Sequence, residues 1–414
     1  MTGRDIALLA LVIPGLVLMF MASVSHVGAE RTVVGPVAPE KPLGPPLTLQ
    51  QAKKAGLSLR EAMYYERLKD GLVRCRLCPH ECTLAEGQRG PCKVRANFGG
   101  TLRTLVYGRP VALSAFDPIE KKPLFHVLPG TRAFSISTIG CNLGCIFCQN
   151  WETSQLSPEE GNHRFWIGIA KRDFPGLIAS TEEVAPAEIV KMAKETRCQS
   201  IAYTYTEASV YYEYMLETAK LAKKEGIKNL WVTCGYLNPK PLRELCKYID
   251  AANVDLKGFT EEFYQTYCKG SLAPVLRTLK TLHEQDVWFE ITNLVIPGAN
   301  DDPETVRKMC RWIVKELGPD YPLHFSRFFP KYKLLDRPPT PLSTLKLCAA
   351  IAREEGVRFV YVGNVGEERG LEHTVCPECG KVIVRRNVYI IDENYIKNGK
   401  CAHCGAKIPG IFRK

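Results

Sequence analysis

The sequence predicts an α/β protein built on an incomplete parallel barrel, a partial (β/α)6 arrangement, with a small cysteine-bearing module on either side. Three observations lead there. Between about 130 and 366, short β-rich runs alternate with helical patterns, as parallel strands joined by crossover helices require. Polar residues gather at the ends of those runs, where chemistry on such barrels collects. Eleven of the 17 cysteines fall into three tight clusters, one within the barrel region and one on each side of it.

The β-rich runs are 134–137, 200–203, 229–233, 252–256, 287–295, 323–328 and 358–362. The helical pattern is clearest over 303–317. There Val306, Met309, Cys310, Ile313, Val314 and Leu317 recur at helical spacing, with Asp302 as N-cap and Pro303 as the first residue. About six such units make an incomplete barrel, short of the closed eight. Before it lie a Pro/Gly-rich linker over 31–60 and a four-cysteine module over 61–129; after it comes a ribbon-like module over 367–414.

A composition of 45% hydrophobic and 24% charged residues indicates a folded globular chain. The formal charge of +11 overstates the real one, because filled thiolate clusters lower it to roughly +6. Such a mild excess does not call for nucleic acid, and none is expected as a partner; it suits an acidic electron donor or a lipid surface. Six scattered cysteines (Cys198, Cys234, Cys246, Cys268, Cys310 and Cys348) read as small buried hydrophobes. So many free thiols imply a reducing compartment.

The central cluster lies in Gly140-Cys141-Asn142-Leu143-Gly144-Cys145-Ile146-Phe147-Cys148-Gln149-Asn150, in the loop after a strand. Its C-x3-C-x2-C spacing offers three thiolates. A [4Fe–4S] cube needs four ligands, so one iron stays open; a zinc ion completed by a distant ligand is the alternative. The second cluster pairs Cys376-Pro377-Glu378-Cys379-Gly380 with Cys401-Ala402-His403-Cys404-Gly405, two knuckles of a zinc ribbon or of a rubredoxin-like iron site. The third, Cys75, Cys78, Cys82 and Cys92, has the spacing C-x2-C-x3-C-x9-C and admits either a structural zinc or a second iron–sulfur cluster. His80 beside it reads as a turn residue.

At the central cluster the chain resembles the radical S-adenosylmethionine (SAM) superfamily, whose C-x3-C-x2-C signature has an aromatic residue before the last cysteine, here Phe147. The resemblance implies that SAM chelates the open iron and is cleaved reductively to methionine and a 5′-deoxyadenosyl radical. Cys141, Cys145 and Cys148 would then be the catalytic ligands. With Phe147, polar residues at strand ends supply candidates for binding SAM: Thr206, Glu207, Thr233, Gly235, Asp255, Lys257, Asn293 and His324. An Asp can hold a ribose diol, a Lys a carboxylate, a Glu or Thr an amino group. Asp255-Leu256-Lys257, the stretch 295–302 and Pro322-Leu323-His324 are similar to motifs of the pyruvate formate-lyase activating enzymes, which implies SAM contacts at Asp255, Lys257 and His324.

A closer resemblance, over about 70–410, is to the radical SAM component of the AmmeMemoRadiSam system. It is carried by Cys78-Pro79-His80, the stretch 117–126, Cys148-Gln149-Asn150-Trp151, Ala202-Tyr203-Thr204-Tyr205-Thr206-Glu207 and the paired knuckles. It implies AMMECR-like and Memo-like proteins as partners and leaves the substrate open. The stretch 117–126 is either a substrate-side loop or packing at the barrel mouth. A flavodoxin or ferredoxin is the expected electron donor.

Residues 6–24 carry no charge and are nearly long enough to span a bilayer, so 1–30 reads as a membrane anchor. Because SAM and its reductant are cytoplasmic, the catalytic domain should face the cytoplasm. The alternative is a signal cleaved after Val27-Gly28-Ala29, with export of the rest. Two other functional readings stand beside the SAM-cleaving one: a glycyl-radical activase, and an electron-transfer protein with a saturated central cluster.

Overall fold

One eight-stranded sheet organises the chain, and its strand order follows the sequence. In the computed structural model, residues 46–159, 183–366, 368 and 370–412 are described. Strand β1 (Ala112–Pro118) runs antiparallel to β2 (Arg132–Ser137). From β2 each strand pairs in parallel with the next: β3 (Ser200–Tyr203), β4 (Lys228–Thr233), β5 (Ala251–Asp255), β6 (Trp288–Val295), β7 (Leu323–Arg327) and β8 (Val360–Gly363).

Parallel neighbours need crossovers, and helices provide them. They are α1 (Pro186–Glu195), α2 (Tyr212–Lys224), α3 (Pro239–Cys246), α4 (Leu272–Glu284), α5 (Pro303–Leu317) and α6 (Leu342–Glu354). Helix α5 shows how sequence sets them. Asp302 caps it by accepting from the Thr305 amide at 2.8 Å, and Pro303 opens it. Val306, Met309, Cys310, Ile313 and Leu317 are buried, while Val314 at the edge of the stripe is half-buried. Burying each of the larger apolar side chains is worth roughly 1.5–3 kcal/mol.

The other face of the sheet is covered by the chain itself. After β1, Ile119, Leu124, Val127 and Leu128 pack on Ala133, Ala202, Leu230 and Ala251, one residue from each of β2 to β5. The amides of Phe125 and His126 donate to Glu290 on β6 at 2.9 and 2.7 Å. The stretch 117–126 is therefore packing, and it is anchored by buried charge. Asp117 accepts from Lys122 and from Ser135 Oγ, each at 2.6 Å, and from Tyr205. Burial pushes Lys122 down to about 8, with Asp117 opposing it.

The flanking modules are small sheets. Arg60–Glu61, Thr101–Thr104 and Arg95–Phe98 form one, and Tyr65–Arg67, Val73–Cys75 and Thr83–Leu84 another. The C-terminal module has Thr374–Val375, Val382–Asn387 and Ile390–Asn394. The expected linker over 31–60 is corrected at its end: Leu49–Lys54 is helical, with a Thr48/Gln51 capping box. Leu47 and Ala52 bury against Ala96, Phe98 and Leu105, a local apolar pattern that the preceding prolines hid. Among the described residues no helix is long and apolar enough to cross a membrane; the stretch 6–24 lies outside them.

Candidate active site and metal centres

The three-cysteine loop leaves β2 and is held by backbone contacts from later elements. Gly144 and Ile146 donate their amides to the carbonyls of Cys268 and Tyr267 at 2.8 and 3.0 Å. Asn142 Nδ2 donates to the Tyr236 carbonyl and Asn150 Nδ2 to that of Tyr205, both at 2.7 Å. Gly140 has φ +108, and a Cβ there would stand 2.9 Å from the Cys92 carbonyl, so glycine is required. Phe147 is buried and packs on Phe263 with ring centroids 6.2 Å apart.

Around the loop stand groups from the C-terminal ends of the strands. Beyond β3, Glu207 accepts from Ser209 N and Oγ and from Thr233 Oγ1 on Oε1, and from Cys234 N on Oε2. The Cys234 thiol also hydrogen-bonds this carboxylate. Thr206 Oγ1 donates to the Thr138 carbonyl at 2.9 Å, tying β3 to the start of the loop. Burial pushes the Cys141 thiol well up, and the nearby Glu207 carboxylate adds to this.

After β5, Lys257 Nζ lies 2.8 Å from Asp255 Oδ2. Burial acts to lower the Lys257 pKa, but Asp255 and the Cys145 thiol overcome it, so the ammonium is held charged. His324 on β7 shares that sheet face. Its Nε2 lies 2.6 Å from Glu290, and its ring stacks on Tyr361 at 5.0 Å. Asp255 and His324 thus lie on one face of the sheet, while Thr206, Glu207, Thr233 and Lys257 stand at its upper edge, at or just beyond the strand ends.

Two expected members do not join them. Asn293 is one position along β6 from Thr292, the neighbour of Asp255 and His324, so it faces the other way. Its amide caps the Leu256 carbonyl at 2.7 Å and touches Met309 Sδ on α5. Gly235, at φ +68, lies with its Cα against Val254, Val275 and Thr278, and serves as a tight turn. The sequence reading missed two cysteines. Cys268 hydrogen-bonds Cys145, and Cys234 lies 3.6 Å from Asn142 Oδ1. Only the place of Cys234 directly after a strand hinted at this; Cys268 ends the helical segment Tyr264–Cys268.

The two four-cysteine groups differ. Among the described residues, the one group whose donor atoms all lie within 4.8 Å of one another is Cys376, Cys379, Cys401 and Cys404. Its sulfurs approach to 3.7 Å (Cys376–Cys404) and 3.9 Å (Cys379–Cys401). Cys75, Cys78, Cys82 and Cys92 instead line a shared cavity with Arg95 and Asn142. His80 is no free turn residue: its Nε2 lies 2.7 Å from the Asn142 carbonyl, joining this module to the catalytic loop.

A family model described as the Radical SAM superfamily matches residues 135–311. The chain is 42% identical over 357 residues to Uncharacterized protein MJ0808 of Methanocaldococcus jannaschii, covering 86% of this chain and 100% of that one. It is 25% identical over 185 residues to the pyruvate formate-lyase 1-activating enzyme of Escherichia coli K12, covering 44% of this chain and 68% of the relative. Among solved structures, a domain of pyruvate-formate lyase-activating enzyme from Bacteroides vulgatus aligns over 40% of this chain and 99% of its own, at 18% identity and a TM-score of 0.35.

Proposed function

The chain belongs to the radical SAM superfamily, and on that premise we propose that it cleaves S-adenosylmethionine reductively at Cys141, Cys145 and Cys148. The observation that carries this reading is the grouping of three loop thiols with Glu207 and a charged Lys257 at the strand ends. Three thiolates fit a [4Fe–4S] cube with one iron left over. Bound there, the cube supplies the electron that splits SAM into methionine and a 5′-deoxyadenosyl radical, which takes a hydrogen from the substrate.

The chain's own residues bind and orient. Lys257, kept charged by Asp255, holds the SAM carboxylate, and the exposed edge of Asp255 takes the ribose hydroxyls. Glu207 would accept from the amino group, while Thr206 and Thr233 fix the turns around it. His324, held by Glu290, walls the face below. Gly235 and Asn293 shape the scaffold without touching SAM. In this reading the sheet is an incomplete barrel, closed from below by residues 119–128.

The C-terminal knuckles hold zinc in a ribbon. A tetrahedral ion with Zn–S bonds of about 2.3 Å sets its sulfurs about 3.8 Å apart, as the 3.7 and 3.9 Å separations suit. The electron donor is a flavodoxin or ferredoxin, AMMECR-like and Memo-like proteins are partners, and residues 6–24 anchor the chain with its catalytic part in the cytoplasm. A second reading, activation of a glycyl-radical enzyme, is favoured by the likeness to the Escherichia coli activating enzyme.

Electron paramagnetic resonance of the dithionite-reduced protein tests the site. The spectrum should gain a SAM-dependent component that Cys145→Ala abolishes and Cys268→Ala retains. An intact reduced cluster at the three cysteines that ignores SAM would overturn the reading in favour of electron transfer.

A further inference from the structure

We infer that Cys75, Cys78, Cys82 and Cys92 hold a second [4Fe–4S] cluster, not a zinc ion, directly beside the catalytic loop. Sulfur spacing separates the two kinds of site. One tetrahedral ion draws four sulfurs to about 3.8 Å of one another, and the C-terminal knuckles meet that condition. The N-terminal four fall outside the 4.8 Å grouping among the described residues. They share this trait with Cys141, Cys145 and Cys148, the cysteines assigned to a cube.

The four cysteines line a cavity of about 20 Å³, more than the roughly 10–15 Å³ that admits a water. A single ion at bonding distance from four thiolates leaves no such room. The backbone resists closing it: the Cys75 amide donates to the Cys82 carbonyl at 2.9 Å, and that of Lys93 to Gly90 at 2.9 Å. Gly90 is bare where a Cβ would stand 2.8 Å from Cys82 Sγ, which keeps that sulfur in the wall of the cavity.

Arg95 points to the charge of the occupant. Its side chain is 2% exposed and lies on the cavity wall. It pairs with Glu213 at 3.0 Å and donates to the Met63 carbonyl, yet its Nε–H has no partner. A buried guanidinium donor left over beside four cysteines suits a filled thiolate centre, which carries net negative charge and sulfur atoms able to accept a hydrogen bond; the charge fits a cluster, and the sulfur spacing is what separates it from zinc.

Position relates the two clusters. The Cys92 carbonyl abuts Gly140, the residue before Cys141. Asn142, the residue after it, lines the N-terminal cavity and is bonded through its carbonyl to His80. The two sites thus share a wall on both sides of a catalytic ligand.

Metal and sulfide analysis of the full chain, reconstituted anaerobically with iron and sulfide, tests this. Two cubes predict about eight acid-labile sulfides and at least about eight irons per chain. The Cys141→Ala/Cys145→Ala/Cys148→Ala variant should keep about four of each, with a spectrum that ignores SAM. Each reduced cluster alone should give a sharper resonance than the two together, because adjacent spins broaden one another. About four sulfides in the wild-type chain with two zincs, or a folded triple variant without sulfide, would overturn the assignment. Failure of the SAM-cleaving reading would show separately, as loss of the SAM-dependent signal with the triple variant's sulfide unchanged.

Discussion

The two four-cysteine sites use the same ligands and build opposite kinds of structure. At the C-terminal end, two knuckles repeat the same turn: Cys376 and Cys401 accept from the amides of Gly380 and Gly405 at 2.9 and 2.8 Å. The sulfurs converge, and around them lies a minor core of Cys376, Ile383, Cys401 and Ile408. At the N-terminal end nothing repeats. The cysteines come from a strand, a turn and a distant loop, and Cys75, Leu77, Leu84 and Val94 belong to the main core. One site must supply the stability of its own module, whereas the other borrows a finished core and surrounds a space. The lesson is that ligand number does not assign a metal. The distance between sulfurs separates a site for one ion from a site for something larger.

The largest expected effect breaks the comparison at its energetic end. If the proposed zinc fills the C-terminal site it supplies on the order of 10 kcal/mol to folding, so Cys379→Ala should unfold that module and expose it to limited proteolysis. Cys78→Ala should instead cost iron while the parallel sheet keeps its protection. Equal proteolysis of both variants would remove the distinction.

A smaller effect concerns how the C-terminal module reaches the main sheet. Arg386 is buried, donates to the Phe125 carbonyl at 2.8 Å and covers the Phe125 ring at 4.1 Å. Arg386 also donates to the Glu372 carbonyl and Thr374 Oγ1, so Arg386→Leu strands three acceptors and should cost about 3 kcal/mol in denaturant unfolding, with metal content unchanged. No change in stability would mean that the module hangs free of residues 119–128.

The smallest effects sharpen the geometry. Gly380 has φ +69 and open space around it, so Gly380→Ala should cost about 1 kcal/mol by backbone strain alone, read as a small fall in Tm. Gly90→Ala faces a sulfur at 2.8 Å and should reduce iron and sulfide at the N-terminal site specifically. Full sulfide retention in that variant would show the cavity to be looser than its walls imply.

Much of this was legible beforehand. Strand β3 was read with its observed bounds, the other parallel strands within a residue or two, and α5 with its cap, because alternating and 3.6-residue patterns are local. Spacing alone picked out the three clusters. The antiparallel β1 was not foreseen, since its partner lies across a 13-residue connection and its own pattern, buried in part on both sides, reads as neither clean strand nor loop. Asn293 was placed one residue out of phase: strand side chains alternate, and Thr292 holds the position level with Asp255 and His324. The nearness of Cys268 to Cys145 and of His80 to Asn142 depends on long-range folding that no local spacing encodes.

The most direct test of the central claim is 5′-deoxyadenosine, measured after anaerobic reconstitution, reduction with dithionite and addition of SAM. The wild-type chain should form it, and the Cys141→Ala/Cys145→Ala/Cys148→Ala variant, with its N-terminal cluster intact, should form none above background. Equal amounts from both proteins would place SAM cleavage elsewhere than at these three cysteines and contradict the account.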